Sequence, residues 1–127
     1  MITSVPGSSA VFKGGIISYS SQVKMDLLKV SPEDLKNFGA VSQPVAMQMA
    51  AGAKELLKAD IAVSATGLAG PDGDEFSNQV GTVYIGYCDA HQCLARKFHF
   101  FGNREAVRRQ AVEAALSLVL EFANTTA

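Results

Sequence analysis

Asp60-Ile61-Ala62-Val63-Ser64-Ala65-Thr66-Gly67-Leu68-Ala69-Gly70-Pro71-Asp72-Gly73 decides how the chain is read. Residues 60–65 form a short apolar run with branched side chains, which predicts a central strand. The chain then passes into glycines and acids as far as Asn78, too polar and glycine-rich for regular structure. A strand that opens into such a loop presents backbone N–H groups at its carboxyl end, where open α/β sheets hold their ligands.

Working outward, residues 80–88 and 94–101 are strand-like and are separated by Asp89-Ala90-His91-Gln92, the pattern of an antiparallel hairpin. Asn103 is a cap for a last helix with Val107, Ala111, Ala114, Leu118 and Phe122 on its apolar positions. Upstream, Ser42 and Pro44 open a longer helix with Val45, Met49 and Leu56 in its stripe. Ser31-Pro32-Glu33 opens a shorter helix that Gly39 ends, and Ser20 caps one running to about Leu28. Residues 14–18, after the Pro6-Gly7 turn, read as another short buried strand. Strands interleaved with helices predict a layered α/β domain whose hairpin makes the sheet mixed.

The composition bounds the function. At 127 residues and 13.4 kDa the chain reads as one domain, residues 1–127, without repeat or linker. Eleven Lys plus Arg against twelve Asp plus Glu leave a net charge of −1, which argues against partners held by positive field, namely nucleic acid and anionic membranes. No apolar stretch reaches the ~18 residues of a membrane helix, and residues 1–6 lack the features of a signal peptide. A soluble, cytoplasmic protein is expected. Cys88 and Cys93 read as free thiols of a reducing compartment rather than as a disulfide, and two histidines do not make a zinc site.

Three places can carry chemistry. Ser8-Ser9 lies in a turn, Tyr19 follows the next strand-like run, and Lys24 lies in the helix after it. A lysine whose pKa is depressed can take the proton of a serine nucleophile. Taken alone, these residues read more readily as turn serines, a core aromatic and a solvated charge. The loop after Thr66 reads equally as an anion cradle or as an ordinary surface loop. It lacks the Lys-Ser or Lys-Thr closure of a phosphate loop, and its acids Asp72, Asp74 and Glu75 read as solvated rather than metal-binding. Arg104, in the first turn of the last helix, is either an anion grip or a surface charge paired with Glu105 or Glu113.

Considered in order, these segments resemble a known family. Pro6-Gly7-Ser8-Ser9-Ala10, Tyr19-Ser20 with Lys24, Gly39-Ala40-Val41-Ser42, residues 66–73, Val80-Gly81-Thr82-Val83 and Arg104-Glu105-Ala106-Val107-Arg108 follow the sequence of motifs in the C-terminal domain of CinA proteins. The resemblance implies a three-layer α/β/α sandwich with a mixed, mainly parallel sheet. It also implies a nicotinamide-nucleotide amidohydrolase of the pyridine nucleotide cycle, which converts nicotinamide mononucleotide and water to nicotinic acid mononucleotide and ammonia.

By motif position the catalytic residues would be Ser9, Tyr19 and Lys24. Substrate would be bound by Ser8, Thr66, Gly67, Gly70 and Arg104, with no metal and no cofactor. Members usually carry a helix, a strand and a Glu-Ser-Cys-Thr-Gly-Gly segment before the Pro-Gly-Ser-Ser turn. These 127 residues do not contain them, so the chain reads as N-terminally shortened and as a homo-oligomer through an open sheet edge. The alternative expectation is a shortened relative that binds a nucleotide without turnover or serves as an oligomeric structural domain. The pyrophosphatase domain of full-length CinA proteins is not represented.

Overall fold

A computed structural model describes residues 2–76 and 78–126. Short 3-10 turns at Ile2–Ser4 and Ser8–Ala10 lead into a segment without regular structure, followed by α1 (Ser21–Leu28), α2 (Pro32–Phe38) and α3 (Gln43–Leu57). Then come β1 (Ala62–Gly67), β2 (Thr82–Cys88), β3 (Cys93–His99) and α4 (Arg104–Thr126).

The helix starts follow their expected signals. The Ser20 hydroxyl accepts from Val23 N at 3.2 Å, Ser31 Oγ from Asp34 N at 3.2 Å, and Asn103 Oδ1 from Ala106 N at 2.9 Å. Ser42 stands at the N-cap position of α3, but its hydroxyl turns back to donate to the Gly39 carbonyl at 2.8 Å.

The strands form one three-stranded sheet in the order β1-β2-β3, with both ladders antiparallel. This corrects the expected mainly parallel sheet, while α3 and α4 still cover its two faces. The parallel character depended on residues 14–18, which form no strand. A strand exists only where a neighbour accepts and donates along it, and residues 13–17 make no backbone–backbone hydrogen bond among the described residues. Ile17 is accordingly 91% exposed.

Register sorts the side chains. Ser64 pairs with Gly86 on the side that meets α3, where Ser64 Oγ donates to the Ala46 carbonyl at 2.6 Å. Val83 and Ile85 point the other way and pack with Val107 and Leu118 of α4. Thus β2 is buried on both faces, and Ile85 and Tyr87 have no exposed surface. A second cluster joins Leu28 and Val30 to Val45 and Met49 of α3.

Glycine at position 86 is what lets α3 approach so closely, because a Cβ there would overlap the Ala46 carbonyl oxygen. Gly86→Ala is expected to destabilise the fold by about 3 kcal/mol, the upper part of the usual overpacking range. Urea unfolding measures it, and a loss below about 1 kcal/mol would show that α3 yields easily.

The hairpin also departs from expectation. Cys88 and Cys93 are paired residues at the end of the β2–β3 ladder, their Cα atoms 4.1 Å apart, and they form a disulfide rather than two free thiols. Spacing alone does not reveal this, because the pairing follows from a turn that Asp89 closes with hydrogen bonds to the His91 and Gln92 amides. Among the described residues no helix is long and apolar enough to cross a membrane.

Candidate functional site

The glycine-rich loop is organised where β1 ends. Thr66 is buried and its hydroxyl donates to the Ala40 carbonyl at 2.7 Å, which ties the strand to the connection between α2 and α3. Gly67 closes the strand, and a Cβ there would crowd Val83 Cγ2 at 2.6 Å, so the close crossing of β2 requires glycine. Gly70 sits at φ 99°, in the left-handed region, and its carbonyl accepts from Arg104 Nη1 at 3.0 Å. The first residue of α4 is thereby drawn over the loop. Exposed N–H groups of the α4 start and the Arg104 guanidinium lie together there, a combination suited to an anion.

Asp74, which the sequence reads as solvated, instead helps build this end of the sheet together with Asn78, which the sequence did not single out. Asp74 accepts from the Phe76 and Asn78 amides at 3.1 and 3.0 Å and from Asn78 Nδ2 at 2.8 Å. Asn78 Nδ2 also donates to the Val41 carbonyl at 3.1 Å. Asp74 is therefore an internal loop brace. The only sequence signal was an Asp and an Asn in a glycine loop, and the partner backbone at Val41 lies far away in the chain.

The second group of expected residues comes from the chain's opening. Gly7, at φ 87°, makes the Pro6-Gly7 turn that starts the Ser8–Ala10 helical turn. Ser8 is half-buried. Ser9 is exposed, and its hydroxyl forms no hydrogen bond among the described residues. Tyr19 is 88% exposed. Lys24 is different: it is 6% exposed, faces no acid in a salt bridge, and donates from Nζ to the Ser18 carbonyl at 2.6 Å. Burial lowers its pKa, since the charged ammonium loses hydration that no anion replaces. Ser9, Tyr19 and Lys24 make no hydrogen bonds with one another in this state.

A cavity of about 890 Å³ lies beside the loop; of the expected site residues only Gly67 lines it, and Ser8, Ser9, Tyr19, Lys24, Thr66, Gly70 and Arg104 do not. Thr3 and Phe12 line it from the opening segment, Gly67 and Ala69 from the loop, and Arg108 and Arg109 from α4. Its size suits a small organic molecule. Among the described residues no group of three or more His, Cys, Asp or Glu side chains could hold a metal ion.

The end of β1, the glycine-rich loop and α4 thus border one cavity of an α/β domain. The family model for the CinA C-terminal domain matches residues 1–123, and the chain belongs to that family.

Nicotinamide-nucleotide amidohydrolase PncC of Escherichia coli (strain K12) is 44% identical over 117 residues, covering 91% of this chain and 71% of PncC. A CinA-like protein of Sulfurihydrogenibium sp. (strain YO3AOP1) is 47% identical over 118 residues, 93% of this chain, and the chain spans 30% of that relative's length. Among solved structures, the competence damage-inducible protein A (ComA) of Klebsiella pneumoniae subsp. pneumoniae superposes with a TM-score of 0.93 at 30% identity. The match covers 97% of this chain and 76% of that one. A CinA superfamily protein of Escherichia coli gives a TM-score of 0.91 at 34% identity, over 94% of this chain and 69% of that one.

Proposed function

We propose that the domain hydrolyses the amide of nicotinamide mononucleotide to nicotinic acid mononucleotide and ammonia, a step in cytoplasmic pyridine nucleotide recycling. The observation that carries this reading is Lys24. A buried amine without a counter-ion, its pKa lowered by burial, costs stability and is a recurrent mark of a general base. The similarity to PncC supplies the substrate class.

In the proposed reaction Ser9 Oγ attacks the carboxamide carbon as neutral Lys24 takes its proton, with Tyr19 orienting the amine or relaying the proton. The tetrahedral intermediate places its oxyanion against donors of the loop from Thr66 through Gly67 and Gly70. The C–N bond then breaks, the nitrogen collects the proton and leaves as ammonia, and the acyl group remains on Ser9. Water, deprotonated by Lys24, attacks that ester and releases the acid. Ser9, Tyr19 and Lys24 must close on each other as substrate enters, a tightening common to sites whose hydrogen bonds are long or absent when empty.

Arg104, with Ser8, would hold the phosphate. Arg104→Ala is expected to raise KM for the mononucleotide about 10- to 100-fold, the worth of one charge-assisted hydrogen bond, with kcat changed less than about threefold. The riboside, which lacks phosphate, should be insensitive to the same substitution. Equal losses on both compounds would assign Arg104 to the loop's architecture through Gly70. The reaction itself is tested by ammonia release from the mononucleotide.

A second reading rests on the exposure of Ser9 and Tyr19: a domain that binds the nucleotide without turnover. Calorimetric binding with no ammonia release would select it.

A further inference from the structure

The chain has six aspartates, and five of them are held or hindered. Asp26 accepts from Gln22 Nε2 at 2.9 Å and Asp34 from Gln48 Nε2 at 2.6 Å, both within helices. Asp89 accepts from the Tyr87 hydroxyl and from the His91 and Gln92 amides. Asp74 is the loop brace, its carboxylate taken by the Phe76 and Asn78 amides and by Asn78 Nδ2. Asp60 precedes Ile61, whose branched side chain crowds the approach to its own amide.

Asp72 is the exception. It is exposed, and its carboxyl group makes no hydrogen bond or ion pair among the described residues. Gly73 is exposed too, and its amide N–H donates to no acceptor among the described residues. Residues 72–74 have no regular structure. An uncommitted carboxyl carbon and an uncommitted amide nitrogen thus stand next to each other, at a glycine, where no side chain hinders the backbone from turning one toward the other.

We propose that Asp72–Gly73 is a modification site, at which the backbone isomerises through a cyclic imide. Gly73 N attacks Asp72 Cγ; the N–Cγ bond forms, a Cγ–O bond breaks, and the amide and carboxyl protons leave with that oxygen as water. Water then adds to one of the two imide carbonyls. Addition at Cγ restores aspartate. Addition at the main-chain carbonyl carbon breaks its bond to Gly73 N, so the chain runs through Cβ and Cγ as isoaspartate and the former main-chain carbonyl becomes a free carboxylate. The reaction consumes no oxidant or reductant. It lengthens the main chain by one carbon between two anchors of the glycine loop, the Gly70 carbonyl held by Arg104 and the Asp74 brace, and the added length bears on both.

The test incubates the intact, folded chain at mildly acidic pH in water enriched in oxygen-18, followed by peptide mapping with electron-transfer fragmentation. Each imide hydrolysis leaves one heavy oxygen on the residue that formed the ring, and the fragments tell isoaspartate from aspartate. Because the hydrogen bonds at Asp74 and Asp89 must break before attack, Asp72 is expected to take up label at least about tenfold faster than either. Isoaspartate is expected at position 72. Asp72→Glu, which keeps the charge but would have to close a larger ring, is expected to take up no label there. No label at Asp72 in the folded chain would overturn the proposal, and uptake there by the urea-unfolded chain alone would trace the block to the loop's conformation. Equal label on Asp72, Asp74 and Asp89 would also overturn it, because the hydrogen bonds would then select no site. The readout is label in the chain rather than turnover, so its failure is distinct from failure of the hydrolase reading.

Discussion

Ser9→Ala is expected to lower ammonia release from nicotinamide mononucleotide by at least about 10³-fold, the scale seen when a nucleophile is removed from a serine hydrolase. The fold should be unaffected. Ser9 is exposed, its hydroxyl makes no hydrogen bond among the described residues, and the turn is set by Gly7 and by the backbone bonds from Val11 and Phe12 to the Ser8 carbonyl. Thermal unfolding should therefore coincide with that of the parent chain. KM should also change little, since the hydroxyl contributes to the transition state rather than to phosphate binding. Turnover within about threefold of the parent would remove Ser9 from the reaction.

Lys24→Met is expected to have an effect of opposite sign on stability and activity. Loss of the base lowers kcat by about 10²- to 10⁴-fold. Stability rises at neutral pH, because methionine fills the same space without the dehydrated charge, and the bond to the Ser18 carbonyl does not offset that cost.

The pH dependence follows from linkage. The folded-state pKa of Lys24 lies below the ordinary lysine value of 10.5. Between those two values the unfolded chain holds a proton that the folded chain has lost, so stability contributed at this site rises with pH across that interval. Below the folded value the full penalty is present. The advantage of Lys24→Met in thermal unfolding should therefore be largest below the folded-state value and shrink as pH rises from there towards 10.5. The same deprotonation should make kcat/KM of the parent rise with pH, with a midpoint below the lysine norm. A variant both less stable and inactive would make Lys24 a packing residue.

Local signals explain how much of this molecule could be read in advance. The caps at Ser20, Ser31 and Asn103, the hairpin and the three C-terminal strands depend on neighbours close in sequence, and their chemistry is written there. Residues 14–18 show the limit. Gly-Gly-Ile-Ile-Ser carries the composition of a strand, but a strand is a relation between two segments, and sequence composition does not state whether the second is in place. The same limit hid the Cys88–Cys93 bond, which depends on strand register, and the Asn78 bridge to Val41, whose partner is distant backbone.

At the site, the loop from Thr66 to Gly70 and Arg104 were indicated by the motif pattern, but neither the bond from Arg104 to the Gly70 carbonyl nor that from the Thr66 hydroxyl to Ala40 was legible. Burial of Lys24 was not legible either. Half of the short helix that carries it is polar in sequence, and its packing against α3 through Leu28 is a tertiary relation that composition does not state.

The central claim is that Ser9 forms a covalent bond with the acyl group of the substrate. Its most direct measurement is peptide mapping by mass spectrometry of protein acid-quenched during turnover of the mononucleotide. The account predicts an acyl adduct on the peptide containing Ser9, formed together with ammonia and absent from Ser9→Ala. Ammonia and nicotinic acid mononucleotide accumulating with no adduct, or with the adduct on another residue, would contradict it.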